Sequence, residues 1–310
     1  MNIGVSLPSV GPIAEREFVL DLARAADRLG FHSVWATDHV VIPKHRTSEY
    51  PYKRSTTEML FTPGITWLDP VATMGVVAGA TENVLIGSAI LVLPYRNAVV
   101  LANEMASLDR LSEGRMILGI GAGWMAEEFR ALGVPPEERG SRTDEYIRVL
   151  KTLWDSGSPV SFDGKYVQFI DVVLGTQPHR PGGPPIYVGG NTPAALRRAG
   201  SLADGWLGME LWVEEIAEIR AALERAAKDA GRDPSDVALS LRRGVKPPFE
   251  ISDFLPERRS ISGTPREVAD ELLRYRDEGV TTMILDLAMF PAEAIKTMEW
   301  LAGEVMPLLG

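Results

Sequence analysis

Residues 85–124 read LIGSAILVLPYRNAVVLANEMASLDRLSEGRMILGIGAGW, and the fold turns on them. The run 84–91 is almost entirely Ile, Leu, Val and Ala. Residues 98–111 repeat apolar side chains at helical spacing, and 115–121 is again continuous and apolar. The reading is strand, helix, strand. Both strands are too apolar for a sheet wet on one face and suit parallel strands covered by helices. Gly87, Ser88 and Ala89 interrupt the first strand, and Gly119, Gly121 and Gly123 alternate through the second. Residues without bulk at two strand ends leave bare backbone for a flat, large group to lie against. A planar cofactor is therefore the first expectation.

The same pattern extends in both directions. Upstream, strands at 2–8 and 33–37 flank a helix at 15–29 that Gly30 stops. A helix at 70–80 follows, with Asp69 as cap and Pro70 at its first position. Downstream, a helix beginning at Trp124 breaks at Gly133 and resumes over 143–154. Strands at 185–188, 205–208, 237–241 and 282–287 then alternate with helices at 193–202, 213–230, 264–278 and 291–308. Eight strand–helix units predict an α/β fold closed into a single (β/α)8 TIM barrel over residues 1–310. Insertion loops are expected after strands 2, 4 and 7, at about 40–67, 158–182 and 246–262. The second of these carries a hairpin around Asp163-Gly164. An open doubly wound sheet is the runner-up, but Ser9-Val10-Gly11-Pro12 after the first strand is no phosphate-binding turn.

Composition narrows the function classes. Lys and Arg number 32 against 42 Asp and Glu, a net charge of −10, with the acids scattered through the chain. Nucleic acid is an unexpected partner, since binding it needs a concentrated basic face. No apolar run approaches the ~18 residues of a membrane span, and the first residues carry no signal-peptide pattern. There is no cysteine, which removes disulfides and thiolate chemistry and fits a reducing, cytoplasmic setting.

In such a barrel the chemistry sits on the loops after the strands. His39, beside Asp38 at the end of the second strand, is the leading acid–base candidate. His45 lies in the long loop that follows and is a candidate substrate contact, whereas His32 and His179 read as structural. No metal is expected, because Asp38, His39 and His45 find no further ligand at a recognised spacing. Glu127 and Glu128 fall in the first turn of a helix, where carboxylates favour the dipole; Glu127 is also a candidate acid or anchor facing the pocket. Gly189, Gly190, Asn191 and Thr192 precede a helix with Pro193 at its first position and offer a phosphate cradle. Trp67, Trp124 and Trp212 are candidate pocket walls, Trp206 reads as core, and Arg243 with Lys246 hints at an anionic substrate group. A non-redox barrel with paired carboxylates, Asp38 with Glu127 or Asp286, is a rival reading.

Together these pieces resemble the bacterial luciferase-like flavin-dependent oxidoreductases, in particular the branch using coenzyme F420. The resemblance rests on VWATDH at 34–39, LIGSAIL at 85–91, ANEMASLDRLSEGRMILGIGAG at 102–123, RTDEYIRVLKTLW at 142–154 and PIYVGGNTPAALRRAGSLADGW at 185–206. It implies F420, with FMN and monooxygenase chemistry as the alternative. It implies a small-molecule substrate, hydride transfer, and a homodimer. Asp38 and His39 would lie by the ring, Asp38 orienting His39 or the ring itself. A bulge with a non-proline cis peptide would fall within Ser88, Ala89 and Ile90. Gly121, Ala122, Gly123 and Glu127, with Gly189–Thr192, would hold ring and phosphate tail. FMN-using relatives carry a His-x-x-Arg-Tyr run; Pro136-Glu-Glu-Arg-Gly140 here lacks both His and Tyr, which favours F420. Trp124 stands where the F420-dependent sugar-phosphate dehydrogenases have Glu, which argues against that substrate.

Overall fold

The computed structural model describes residues 1–52, 61–155, 158–249, 260–287 and 291–310, without the side chains of residues 291 and 292. The chain runs β1 (Asn2–Ser6), α1 (Arg16–Arg28), β2 (Ser33–Ala36), α2 (Pro70–Ala78), β3 (Leu85–Ser88), β4 (Leu91–Val92), α3 (Ala98–Leu111), β5 (Met116–Gly121), α4 (Ala126–Ala131) and α5 (Arg139–Trp154). It continues with β6 (Val160–Asp163), β7 (Gln168–Val172), β8 (Ile186–Gly189), α6 (Pro193–Leu202), β9 (Gly205–Met209), α7 (Val213–Asp229), β10 (Ala238–Lys246), β11 (Ser260–Ser262), α8 (Pro265–Asp277), β12 (Thr282–Asp286) and α9 (Pro291–Trp300).

Strands pair in parallel in the order β1-β2-β3-β5-β8-β9-β10-β12, and β12 returns to β1, so the barrel is closed. Closure disposes of the open-sheet alternative. The helix caps behave as their residue types dictate: Asp69 accepts from Ala72 N at 3.0 Å, and Thr192 accepts from Ala195 N at 3.3 Å. Thr264 and Glu267 form a reciprocal capping box. Among the described residues no helix is long and apolar enough to cross a membrane.

Two apolar layers result. The larger fills the space between strands and helices. The smaller fills the lumen, where Trp35, Ala89, Ile117, Leu207 and Ile284 pack together. Trp35 takes its space from two glycines, since a Cβ on Gly87 would lie 2.4 Å from its ring and one on Gly4 would lie 2.8 Å from Nε1.

The third stave is broken in two, β3 then β4, and the Ala89–Ile90 peptide between them is cis. This bulge revises the glycine reading. A Cβ on Gly119 would fall 1.9 Å from the Ser88 carbonyl oxygen. One on Gly121 would fall 2.6 Å from Ile90 Cδ1, and one on Gly189 2.5 Å from Ile90 Cγ2. The bare backbone thus first receives the protein's own bulge, and Ile90, seated on it, forms the cavity floor.

Three further departures have local causes. Helix α5 begins at Arg139 rather than 143, because a 3-10 turn at Pro136–Glu138 feeds straight into it. Strand β10 runs on to Lys246, where β11 and β12 supply partners beyond 241. The hairpin β6–β7 turns through residues 164–167, not through a two-residue Asp163-Gly164 turn. The Glu145 carboxylate accepts from the N–H groups of Lys165, Tyr166 and Val167 at 2.9, 2.8 and 2.8 Å and holds it. Parts of the loops expected at 40–67 and 246–262, namely 53–60 and 250–259, lie outside the described residues.

Candidate active site

A cavity of about 780 Å³ opens at the C-terminal ends of the staves, within the range usual for ligand sites. Asp38, His39, Trp67, Ala89, Ile90, Gly121–Trp124 and Gly189–Thr192 all line it. These expected residues come from four stretches, at or after the ends of β2, β3, β5 and β8, and barrel closure is what brings them to one place.

His39 is buried at the cavity wall, and its Nδ1 lies 2.7 Å from Glu128 Oε2. Glu128 is fully buried. Its carboxylate also accepts from Val40 N at 2.6 Å, from Val41 N at 3.1 Å and from the Tyr95 hydroxyl at 2.9 Å. Burial pushes the Glu128 carboxyl up, but the hydrogen bonds from His39, Val40 and Val41 hold it below its ordinary value. A charged carboxylate behind Nδ1 fixes the ring and leaves Nε2 as the nitrogen Glu128 does not engage. Sequence reading assigned Glu128 only to the helix dipole and so missed this contact.

Asp38 turns away from His39. Its carboxylate accepts from Arg96 at 2.6 and 3.1 Å and from Val92 N at 2.8 Å. Burial raises the Asp38 carboxyl above its ordinary value, while Arg96, Val92 N–H and His39 oppose the rise. Arg96 also binds Asp69 at 2.7 Å, at the N-cap of α2. Asp38 therefore braces β4 and the bulge, and the orientation of His39 falls to Glu128 instead.

Four other expected residues stand outside the cavity wall, and Ser88 is a fifth. Glu127 points to the loop after β2, accepting from Thr47 N at 2.8 Å, Thr47 Oγ1 at 2.7 Å and Ser48 N at 3.2 Å. Although what burial it has raises its carboxyl, these bonds lower it to about 2, which suits a tether and not a proton carrier. Successive helix positions point about 100° apart, so the dyad took Glu128 and the loop took Glu127. His45 is exposed on that same loop. Arg243 is buried outside the barrel, bonded to Leu211 O and the Tyr275 hydroxyl, with Trp212 stacked 4.5 Å over its guanidinium. Adjacent strand residues face opposite ways. Arg242 is the one at the cavity, bound to Asp286 at 2.8 and 3.0 Å and to the Ala89 carbonyl at 2.9 Å. Ser88 is buried beneath the bulge, donating to Gly119 O at 2.7 Å.

The comparisons with known proteins agree with this geometry. A family model described as luciferase-like monooxygenase matches residues 1–247. The chain belongs to the luciferase-like monooxygenase family. An F420-dependent glucose-6-phosphate dehydrogenase from Kineococcus radiotolerans (strain ATCC BAA-149 / DSM 14245 / SRS30216) is 30% identical, over 93% of this chain and 92% of its own length. Monooxygenase RslO1 from Streptomyces bottropensis superposes with TM-score 0.81 at 24% identity, covering 100% of both chains. An F420-dependent secondary alcohol dehydrogenase, in complex with an F420-acetone adduct, gives TM-score 0.80 at 21% identity, covering 100% of this chain and 99% of its own. At such identities the two structures speak to the fold alone.

This luciferase-like barrel has two unlike sides at its mouth. Around β4, β5 and β8 the wall is glycine, Ile90 and the start of α6. Gly190, at φ +119, holds a backbone that favours glycine, and its carbonyl accepts from Trp206 Nε1 at 2.8 Å. Arg139 reaches the wall at this end, as does Arg198, which is paired with Asp144 and bonded to the Gly140 carbonyl at 3.1 Å. An open floor, a helix N-terminus and the Arg139 guanidinium in sequence fit a planar ring with an anionic tail. The opposite side, around His39, is aromatic. Phe61, Trp67 and Trp124 stand 4.9, 4.6 and 6.1 Å from the imidazole, ring centroid to centroid. Tyr50 and Phe61, unread in the sequence, join this cluster from the loop after β2.

The three carboxylates of the rival reading are engaged elsewhere: Asp38 with Arg96, Asp286 with Arg242 and Ser6, Glu127 with the loop. Neither pairing, Asp38 with Glu127 or with Asp286, offers the two free acids a glycosidase needs. Among the described residues no group of three or more His, Asp or Glu is placed to hold a metal ion.

Proposed function

We propose that this protein is an F420-dependent oxidoreductase that moves a hydride between a small organic substrate and the deazaflavin. The observation that carries the reading is the His39–Glu128 dyad facing a cavity whose floor is the Ala89–Ile90 bulge and whose far end carries Arg139 beside the start of α6. The name of the Kineococcus radiotolerans relative supports the same coenzyme.

When bound, the deazaflavin would supply the two-electron acceptor or donor, chemistry no side chain provides. Ile90, Gly121, Ala122 and Gly123 would support the ring, with Gly189–Thr192 and Arg139 at the tail. His39, held through Nδ1, exchanges at Nε2 the proton that accompanies hydride movement at the substrate carbon. Glu128 acts through His39 as a positioning residue and stabilises the imidazolium when the proton is held. Asp38, with Arg96, keeps the bulge in place. The aromatic rings keep water from the proton-exchanging nitrogen.

One domain over 1–310, a cytoplasmic location and a homodimer belong to this reading. For the homodimer, α2 buries Met74 and Val77 on one side yet leaves Val76 50% exposed on the other. Val100 of the neighbouring α3 is 54% exposed, so a second copy would cover an apolar stripe. Titrating the purified protein with F420 and with FMN tests the coenzyme. Saturable F420 binding is expected, and tight FMN binding without F420 affinity overturns the reading in favour of a monooxygenase.

A further inference from the structure

We infer that the substrate is a neutral, largely apolar molecule with a flat or alicyclic body, bound with its reacting oxygen at His39, and that a phosphorylated sugar is excluded. This rests on the F420 reading for the chemistry, but on the cavity's own walls for the substrate.

The first observation is the enclosure of His39. Phe61 and Trp67 are stacked, with centroids 5.5 Å apart and planes 10° apart, and both stand edge-on to the imidazole. Trp124 closes a third side at 5.0 Å from Phe61, and Tyr50 backs Trp124 at 5.3 Å. Such walls gain by covering apolar area and by ring-edge contacts, and they offer a polar substrate little.

The second observation is the placement of charge. A phosphate dianion taken out of water needs cations and N–H donors in return. The described guanidinium groups near His39 are already committed. Arg96 is forked onto Asp38 and Asp69, and Arg242 lies between Asp286 and the Ala89 carbonyl. Arg46 lies 5.6 Å over Phe61 and 5.1 Å over Trp124, backing the aromatic wall. Arg139 lies at the other end, beside the start of α6, where the coenzyme's own anionic tail would take it, while Arg198 there is held by Asp144 and the Gly140 carbonyl. Among the described residues the cavity thus separates an anion end from an apolar end, and the proton-exchanging histidine belongs to the apolar one.

The step is balanced as follows for a secondary alcohol. The carbinol C–H bond breaks and its hydride passes to oxidised F420. The O–H proton goes to His39 Nε2, and the C–O bond becomes a carbonyl. The reverse direction returns both from reduced F420 and protonated His39.

The test follows tryptophan fluorescence of the protein, alone and with F420, on addition of acetophenone or glucose 6-phosphate. Saturable quenching by acetophenone is expected, with glucose 6-phosphate producing none at millimolar concentration. Trp124→Ala should weaken acetophenone binding about tenfold while F420 affinity stays within about twofold. Trp67→Leu, checked by thermal melting, serves where Trp124→Ala is misfolded. Turnover of 1-phenylethanol should exceed that of glucose 6-phosphate in kcat/KM by at least about tenfold. Glucose 6-phosphate binding or reacting as well as the aromatic pair, or acetophenone failing to saturate, overturns the inference. Acetophenone binding without any F420 affinity would instead overturn the coenzyme and leave the substrate class standing.

Discussion

Glu128 Oε2 lies 2.7 Å from His39 Nδ1 across 89 positions of sequence, and that contact joins the end of β2 to the first turn of α4. The same carboxylate ties down Val40 and Val41, so the dyad and the entry to the long loop are one construction.

His39→Asn should therefore lower turnover by about 10²–10⁴ with F420 affinity retained. Glu128→Gln keeps an acceptor for Nδ1 but removes the charge, so a loss in kcat of about tenfold with little change in KM is expected. Glu128→Ala also strands two backbone N–H groups, adding about 1–3 kcal/mol of destabilisation each where they stay buried. Steady-state kinetics and urea unfolding of both variants separate the two effects. Full turnover in Glu128→Gln would remove its positioning role.

Glu127 predicts a different result. Its carboxyl is lowered to about 2 from an ordinary value of 4.5, despite the opposing effect of burial, by the bonds to Thr47 and Ser48. A folded-state value below the unfolded one stabilises above the unfolded value and is lost as pH falls through the folded one. The stability difference between the natural protein and Glu127→Gln should thus be present at pH 7 and fade between about pH 4.5 and pH 2. Turnover at pH 7 should change less than about threefold, and cleavage of the 40–52 loop by a dilute protease should speed up. A drop in kcat as large as that of His39→Asn would make Glu127 a proton carrier after all.

Neighbouring arginines should part company. Arg243 bonds to Leu211 O and the Tyr275 hydroxyl, neither of which lines the cavity, so Arg243→Met should lower stability while leaving F420 and substrate affinities unchanged. Arg242→Met strands Asp286 and the Ala89 carbonyl. A buried pair broken on one side loses about 3–5 kcal/mol, and the bulge should lose definition with it, seen as weaker F420 binding. Equal effects of the two on coenzyme binding would contradict the assigned facing of β10.

Glycine substitutions grade by what they strike. Gly119→Ala meets the Ser88 carbonyl, which is backbone, at 1.9 Å, while Gly121→Ala meets the free end of the Ile90 side chain at 2.6 Å. Gly121→Ala should cost about 1–3 kcal/mol, as overpacking does, and Gly119→Ala should cost more. Thermal melts of the pair decide it, and Gly119→Ala melting at or above Gly121→Ala would refute the ranking.

Much of this was legible in the chain. Alternating strands and helices gave the closed barrel, because the strands were apolar runs and several caps carried their residue type, Asp69, Thr192 and Thr264 among them. Asp38-His39 and the glycine turns could be named because they end strands, and the 88–90 bulge because the family resemblance implies it. What failed was facing. Arg243 was favoured over Arg242 and Glu127 over Glu128, each off by one position, since nothing local says which of two adjacent like residues turns inward. Period alone cannot carry phase past a bulge or a broken helix. The loop carrying Tyr50 and Phe61 has no period at all, although its spacing of aromatics at 50, 52, 61 and 67 was the signal available.

Ile90 occupies hollows left by Gly121 on one strand and Gly189 on another. Three positions, far apart along the chain, therefore share one allotment of volume and cannot drift separately. Shortening Ile90 to alanine should make alanine at 121 or 189 cost less than on the wild-type background, a coupling that distant sites do not show. Reshaping this enzyme's coenzyme preference calls for varying the trio together, because single-site libraries will score each member as costly.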